Sequence, residues 1–186
     1  MVPARMTFAR LALRGVRLVP VLAVFLFLPA LGGCQDRSTG LERGDVAPDF
    51  VLPTPDGTVR KLSNFRGRPV LLNLWATWCP PCIAEMPVLN AIAEEYGPKG
   101  LAVLGLAGDE DAEEVRTFLA SEPVKFEVLL DRNGEVGTQY GITGYPETFL
   151  LDREGRVRMK FIGPVPILAG KPRADFVAQI EALLAN

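Results

Sequence analysis

Two cysteines three positions apart, in Trp78-Cys79-Pro80-Pro81-Cys82, stand where an apolar run gives way to a helical pattern. The run before them, Pro69 to Thr77, is mostly apolar and suits a buried strand. After them, Ile83, Met86, Leu89, Ala93 and Tyr96 recur at helical spacing between Cys82 and Tyr96. The pattern predicts a strand that feeds directly into a helix, with Cys79 in the first turn. Unpaired amides and the macrodipole at that end favour a thiolate. Two thiols so placed can close into a disulfide and reopen. A purely structural bond over this spacing would close a tiny loop and add little stability. The chemistry implied is redox exchange.

At 186 residues the chain can hold one domain with a sizeable core and short appendages. Only three cysteines occur, Cys34, Cys79 and Cys82, which excludes a disulfide-stapled scaffold. With no histidine and a single close cysteine pair, a structural zinc site is not expected. The same lack removes Ser-His and Cys-His nucleophile pairs, and most hydrolases with them. No cofactor or metal is expected.

Residues 1–33 have the composition of a leader. Arg5, Arg10, Arg14 and Arg17 precede an apolar stretch from Leu18 to Leu31, interrupted by Pro20 and Pro29. That stretch is short for a membrane span and suits a secretory signal. It ends in Leu31-Gly32-Gly33-Cys34, which resembles the lipobox of bacterial lipoproteins. The resemblance implies that Cys34 is lipidated, becomes the mature N-terminus and holds the protein to a membrane. An ordinary signal peptide or an uncleaved anchor are the alternatives, and all three put the body outside the cytoplasm. Residues 34–44 then form a polar tether, and residues 45–186 the domain. Removing the leader takes four arginines and no acids from totals of 20 Lys+Arg and 22 Asp+Glu, leaving a net charge of −6. Nothing in this balance suggests nucleic-acid binding, which would need a basic face. The acidic run Asp109-Glu110-Asp111 suits a solvated loop, and Glu113-Glu114 a helix N-terminus.

Along the domain, Thr54-Pro55-Asp56-Gly57-Thr58 predicts a turn between two short strands. Leu101–Ala107 reads as a second buried strand, Ala112–Ser121 as a helix, Phe126–Leu130 as a third strand and Val136–Tyr140 as a short helix. Glu147–Leu151 and Arg156–Ile162 read as a hairpin, and Ala174–Leu184 as a closing helix. Gly163–Pro172, with three prolines, reads as an exposed loop. Strands alternating with helices before a final hairpin describe an α/β domain, a mixed central sheet with helices on both faces and an N-terminal β-hairpin.

Several separate positions carry a resemblance to the thioredoxin superfamily, and within it to the TlpA/ResA-like and cytochrome c-maturation proteins. Besides the cysteine pair they are Gly44-Asp-Val-Ala-Pro-Asp-Phe50, Pro87 five residues past Cys82, and Gly144-Tyr145-Pro146-Glu147-Thr148. The resemblance covers about Gly44 to Ala185 and implies a thioredoxin-like fold. It implies that Pro146 is a cis-proline beside Cys79, leaving the backbone of Tyr145 free to pair with an extended substrate. Cys79, at the helix end, would attack a substrate disulfide, and Cys82, one turn in and more buried, would resolve the mixed disulfide. Thioredoxin has a buried aspartate six residues before its first cysteine, where this chain has Asn73. The resembling groups have a glutamate where Glu85 stands, which could accept the Cys82 proton. Glu147 is implied at the substrate-binding rim, Trp78 as a partly exposed contact surface, and Trp75 in the core.

The expected function is an extracytoplasmic, lipid-anchored thiol:disulfide oxidoreductase that reduces protein disulfides, such as those of apocytochrome c. Its electrons would come from a membrane thiol reductase. Pro80 and Pro81 lack N–H groups, so the helix end offers few donors to a thiolate, as suits a reductant. One alternative is a peroxiredoxin-like enzyme, whose signature fails because Ala76 stands three residues before Cys79. Another is a non-catalytic copper or assembly chaperone.

Overall fold

The apolar run before the cysteine pair becomes the central strand of a five-stranded sheet. In the computed structural model, residues 40–165 and 171–185 are described. The first elements are β1 (Val51–Pro53), β2 (Val59–Lys61), one 3-10 turn (Leu62–Phe65), β3 (Val70–Trp75) and helix α1 (Pro80–Tyr96). There follow β4 (Ala102–Ala107), α2 (Ala112–Ser121), β5 (Glu127–Leu130), α3 (Glu135–Tyr140), β6 (Glu147–Leu151), β7 (Val157–Ile162) and α4 (Lys171–Ala185).

The sheet order is β5-β4-β3-β6-β7, with β3, β4 and β5 parallel and β6 and β7 antiparallel to their neighbours. β1 and β2 pair separately as the expected N-terminal hairpin. Every residue of β3 and β4 is buried, as expected of parallel strands covered on both faces. Side chains alternate across β3. Leu71 and Trp75 face a core with Leu89 of α1, Val115 of α2, and Phe176 and Ile180 of α4. Leu72 and Leu74 face the other way, toward Val136 and Tyr140 of α3 and toward Ala47 and Phe50. Each fully buried Leu or Phe contributes about 1.5–3 kcal/mol by leaving water.

Differences from the sequence expectation have local causes. α1 starts at Pro80 because prolines suit first-turn positions, where an N–H has no partner. α4 starts at Lys171, with Pro172 tolerated in its first turn for the same reason. Ile83 is not on the inner face of α1: that face is Cys82, Glu85, Met86, Leu89, Ile92 and Tyr96, which leaves Ile83 pointing outward. The segment after β7 is not simply an exposed loop, since Val165 is 1% exposed and packs into the core. Asp109 is also buried rather than solvated. Among the described residues no helix is long and apolar enough to cross a membrane. The leader, Cys34 and most of the tether lie outside the described residues.

Candidate active site

Cys79 ends the chain's run out of β3 and is the N-cap of α1, with extended backbone at φ −101°, ψ 100°. Its Sγ accepts the Cys82 N–H at 3.3 Å and is joined to Cys82 Sγ in a disulfide, with the Cα atoms 5.3 Å apart. Pro80 and Pro81 occupy the first two helical positions, so the amide of Cys82 is the first that the helix can offer the sulfur. Cys79 is 4% exposed and Cys82 fully buried, which keeps the expected order although both sulfurs sit deep. The solvent-facing part of the site is Trp78, at 64% exposure, with Pro80, Pro81 and Ile83.

The Tyr145–Pro146 peptide is cis. The Pro146 carbonyl accepts the Gly163 N–H at 2.9 Å, which ties this loop to the end of β7. The Tyr145 ring stands edge-on to Trp78, with centroids 5.7 Å apart, so the residues preceding Cys79 and Pro146 meet directly. Burial pushes the Tyr145 hydroxyl pKa up, and the nearby carboxylates of Asp131 and Asp109 add to the shift.

Glu85 is not a surface side chain. It is fully buried, with Oε1 accepting Asn73 Nδ2 and Oε2 accepting the Val165 N–H, each at 2.8 Å. Burial raises its pKa, and the hydrogen bonds from Val165 and Asn73 oppose the rise without cancelling it. Glu85 lies three residues after Cys82 on the inner face of α1, and such pairs stand roughly 5–6 Å apart at Cβ. A carboxyl so held, near a buried thiol, is placed to exchange a proton with it.

Glu147 requires a correction. Its side chain is fully buried and offers nothing to a substrate at the rim. Oε2 accepts the Thr143 N–H at 3.1 Å, and Oε1 lies 3.1 Å from Lys160 Nζ. Position 147 opens β6 opposite Leu74, so its side chain lies on the Leu74 face of the sheet, where its bond from the Thr143 N–H braces the loop that carries Tyr145 and Pro146.

Sequence reasoning missed the partners of Glu85. Asn73 and Thr148 are directly opposed across β3 and β6, and Asn73 Nδ2 also donates to Thr148 Oγ1 at 2.9 Å. The signal was available: Asn73 is the lone polar residue of Val70–Trp75, and polar groups in buried strands need partners. The Val165 amide could not have been found, because nothing in its sequence marks that contact. Among the described residues no group of three or more Cys, Asp or Glu side chains is gathered to hold a metal ion.

The geometry defines a thioredoxin-like redox site, and similarity to known proteins agrees. Residues 42–178 match the Redoxin family. Over 131 residues the chain is 37% identical to the thiol-disulfide oxidoreductase ResA of Bacillus cereus, covering 70% of this chain and 76% of that protein. It is 35% identical over 130 residues to the thioredoxin-like protein YneN of Bacillus subtilis, covering 68% and 75%. A solved structure from Chlorobium tepidum, described as a thiol:disulfide interchange protein DsbE, aligns with a TM-score of 0.71 at 37% identity. That alignment spans 78% of this chain and 99% of the other. The chain belongs to the Redoxin family, on the TlpA/ResA-like side of the thioredoxin superfamily. It is a thiol:disulfide oxidoreductase.

Proposed function

We propose that the Cys79–Cys82 pair reduces protein disulfides outside the cytoplasm, with Glu85 as the proton acceptor. In the reduced enzyme the Cys79 thiolate attacks one sulfur of a substrate disulfide, and the other substrate sulfur leaves as a thiolate and takes up a proton. The Cys82 thiol passes its proton to Glu85 and attacks Cys79 Sγ, releasing the second substrate thiolate. Two electrons have then moved to the substrate, and the Cys79–Cys82 disulfide has formed. Trp78 and the backbone of Tyr145 would contact the substrate chain, with Pro146 holding the loop that presents it. A membrane thiol reductase would return the enzyme to its dithiol form.

One observation carries the proton step: a fully buried Glu85, one turn beyond Cys82, whose hydrogen-bond partners among the described residues are the neutral Asn73 amide and Val165 N–H. The direction of electron flow is supported by the two prolines of the first helical turn. They withhold amide donors from the Cys79 thiolate, so the reduced form gains little and the disulfide is comparatively stable. Residues 1–33 and Cys34 support secretion and lipid attachment, and apocytochrome c is the class of target that the family resemblance suggests. The names of the relatives favour exchange over the peroxidase and copper-carrier alternatives.

Redox titration tests the direction. A reductant should equilibrate near the potential of thioredoxin, about −270 mV, and a value near that of the strong oxidant DsbA, about −120 mV, would reverse the assignment.

A further inference from the structure

The end of β4 touches both loops that frame the disulfide. The Asp109 side chain is 1% exposed and accepts the Thr77 N–H at 3.0 and 3.2 Å, and its Oδ1 also accepts the Thr77 hydroxyl. Thr77 is two residues before Cys79 and directly before Trp78. One residue earlier, Gly108 donates its N–H to the Trp75 carbonyl at 2.9 Å. Gly108 also lies flat against the Tyr145 phenol: a Cβ there would fall 1.9 Å from Tyr145 Oη. Trp78 and Tyr145, held by these neighbouring residues, pack edge-on against each other.

The chemistry at each contact differs, and so does its purpose. An ionised carboxylate taken out of water is costly unless it is fully hydrogen-bonded. Asp109 accepts from both donors of a single residue, the N–H and the hydroxyl of Thr77. Asp131, also buried at the end of β5, instead accepts the Val136 and Gly137 N–H groups and caps α3. Asp109 caps none of α1, α2 and α3. What it fixes is the short segment between β3 and α1.

We infer that Asp109 and Gly108 form a clamp that sets the spacing of Trp78 and Tyr145, and that Asp109 is thereby a positioning residue for the polypeptide substrate. Gly108 supplies the space for the Tyr145 phenol, and Asp109 supplies the hydrogen bonds that keep Trp78 over it. The role in substrate contact rests on the function proposed above; the clamp itself does not. Its ligand class is an extended polypeptide around a disulfide, wide enough to span both aromatic rings.

The test uses pre-reduced protein in single-turnover reactions with a short synthetic peptide closed by a Cys-x-x-Cys disulfide. Asp109→Ala should raise the half-saturating peptide concentration about tenfold, the equivalent of about 1.4 kcal/mol, with a smaller fall in the maximal rate. Asp109→Asn keeps an acceptor oxygen for both Thr77 donors and should stay within about threefold of wild type. Thr77→Val, which removes one donor and spares the fold, should show a partial rise, and Gly108→Ala should match Asp109→Ala by displacing Tyr145. Without substrate, nitrogen-15 relaxation of the Trp78 indole should show added fast motion in Asp109→Ala and none in Asp109→Asn. An unchanged half-saturation in both Asp109→Ala and Thr77→Val would overturn the substrate role, as would an Asp109→Asn defect equal to that of Asp109→Ala. Unchanged Trp78 relaxation would overturn the clamp. If the wild-type protein itself fails to reduce the peptide, the proposed function is at fault, and the relaxation data still decide the clamp.

Discussion

The Asn73 amide donates to Glu85 Oε1 at 2.8 Å, with both residues fully buried between β3 and α1. Its second hydrogen goes to Thr148 Oγ1, so one amide fixes the carboxyl against the sheet. The position that bears an acid in thioredoxin here bears the residue that holds an acid on the facing helix. Asn73→Asp would place two carboxyls in hydrogen-bond reach of each other, and both cannot ionise together. The pH–rate profile of disulfide exchange should then gain a second macroscopic step, at higher pH than in wild type. A single unshifted step would show that the two positions do not communicate.

Glu85→Gln preserves the shape of the side chain and removes its ability to take a proton. Resolution of the mixed disulfide should slow by at least about tenfold, with loss of the pH step that Glu85 contributes. Stopped-flow measurement over a pH series checks this, and superimposable curves for the two proteins would reduce Glu85 to a structural role.

The same residue links stability to pH. Its pKa in the folded protein is raised by burial above the ordinary glutamate value, so the folded state holds the proton more tightly than the unfolded one. Its contribution is fully present below the unfolded pKa and is lost as pH rises through the folded pKa. The oxidised wild type should therefore lose stability across that window relative to Glu85→Gln. Urea midpoints that fail to diverge as pH rises would contradict the assignment.

Lys160 and Glu147 test whether the buried acid at the head of β6 is structural. Lys160→Met leaves the fully buried Glu147 carboxylate without its cation and should cost about 3–5 kcal/mol. Adding Glu147→Gln should recover much of that loss, because no charge then remains to compensate. Chemical denaturation of the two single variants and the double variant measures the coupling. A coupling near zero would mean that the pair contributes nothing to the loop carrying Tyr145 and Pro146.

Short-range patterns made much of this architecture legible. Helix α2 spans Ala112–Ser121 as its periodicity predicts, and the hairpin of β6 and β7 follows from two apolar runs around Asp152-Arg153-Glu154-Gly155. Gly155, at φ 76°, takes the turn conformation that side chains disfavour. The cysteine pair and its helix-end setting could likewise be read from Pro69 to Tyr96. Position 147 is legible as the first residue of β6, but its burial is not, because its partners are the Thr143 amide of the preceding loop and Lys160 of β7, and no local pattern shows that they close over it. Asp109 looked like part of a solvated acidic run, and only the fold brings Thr77 to it from 32 positions away. Val165 reaches Glu85 across 80 positions through its backbone amide, which carries no sequence signal.

The central claim, that Cys79 attacks and Cys82 resolves, is tested most directly by trapping. Pre-reduced Cys82→Ser protein, mixed with a disulfide-closed peptide, should accumulate a mixed disulfide that peptide mapping assigns to Cys79, and Cys79→Ser should accumulate none. A stable adduct on Cys82 in the Cys79→Ser protein, with none on Cys79 in Cys82→Ser, would contradict the account.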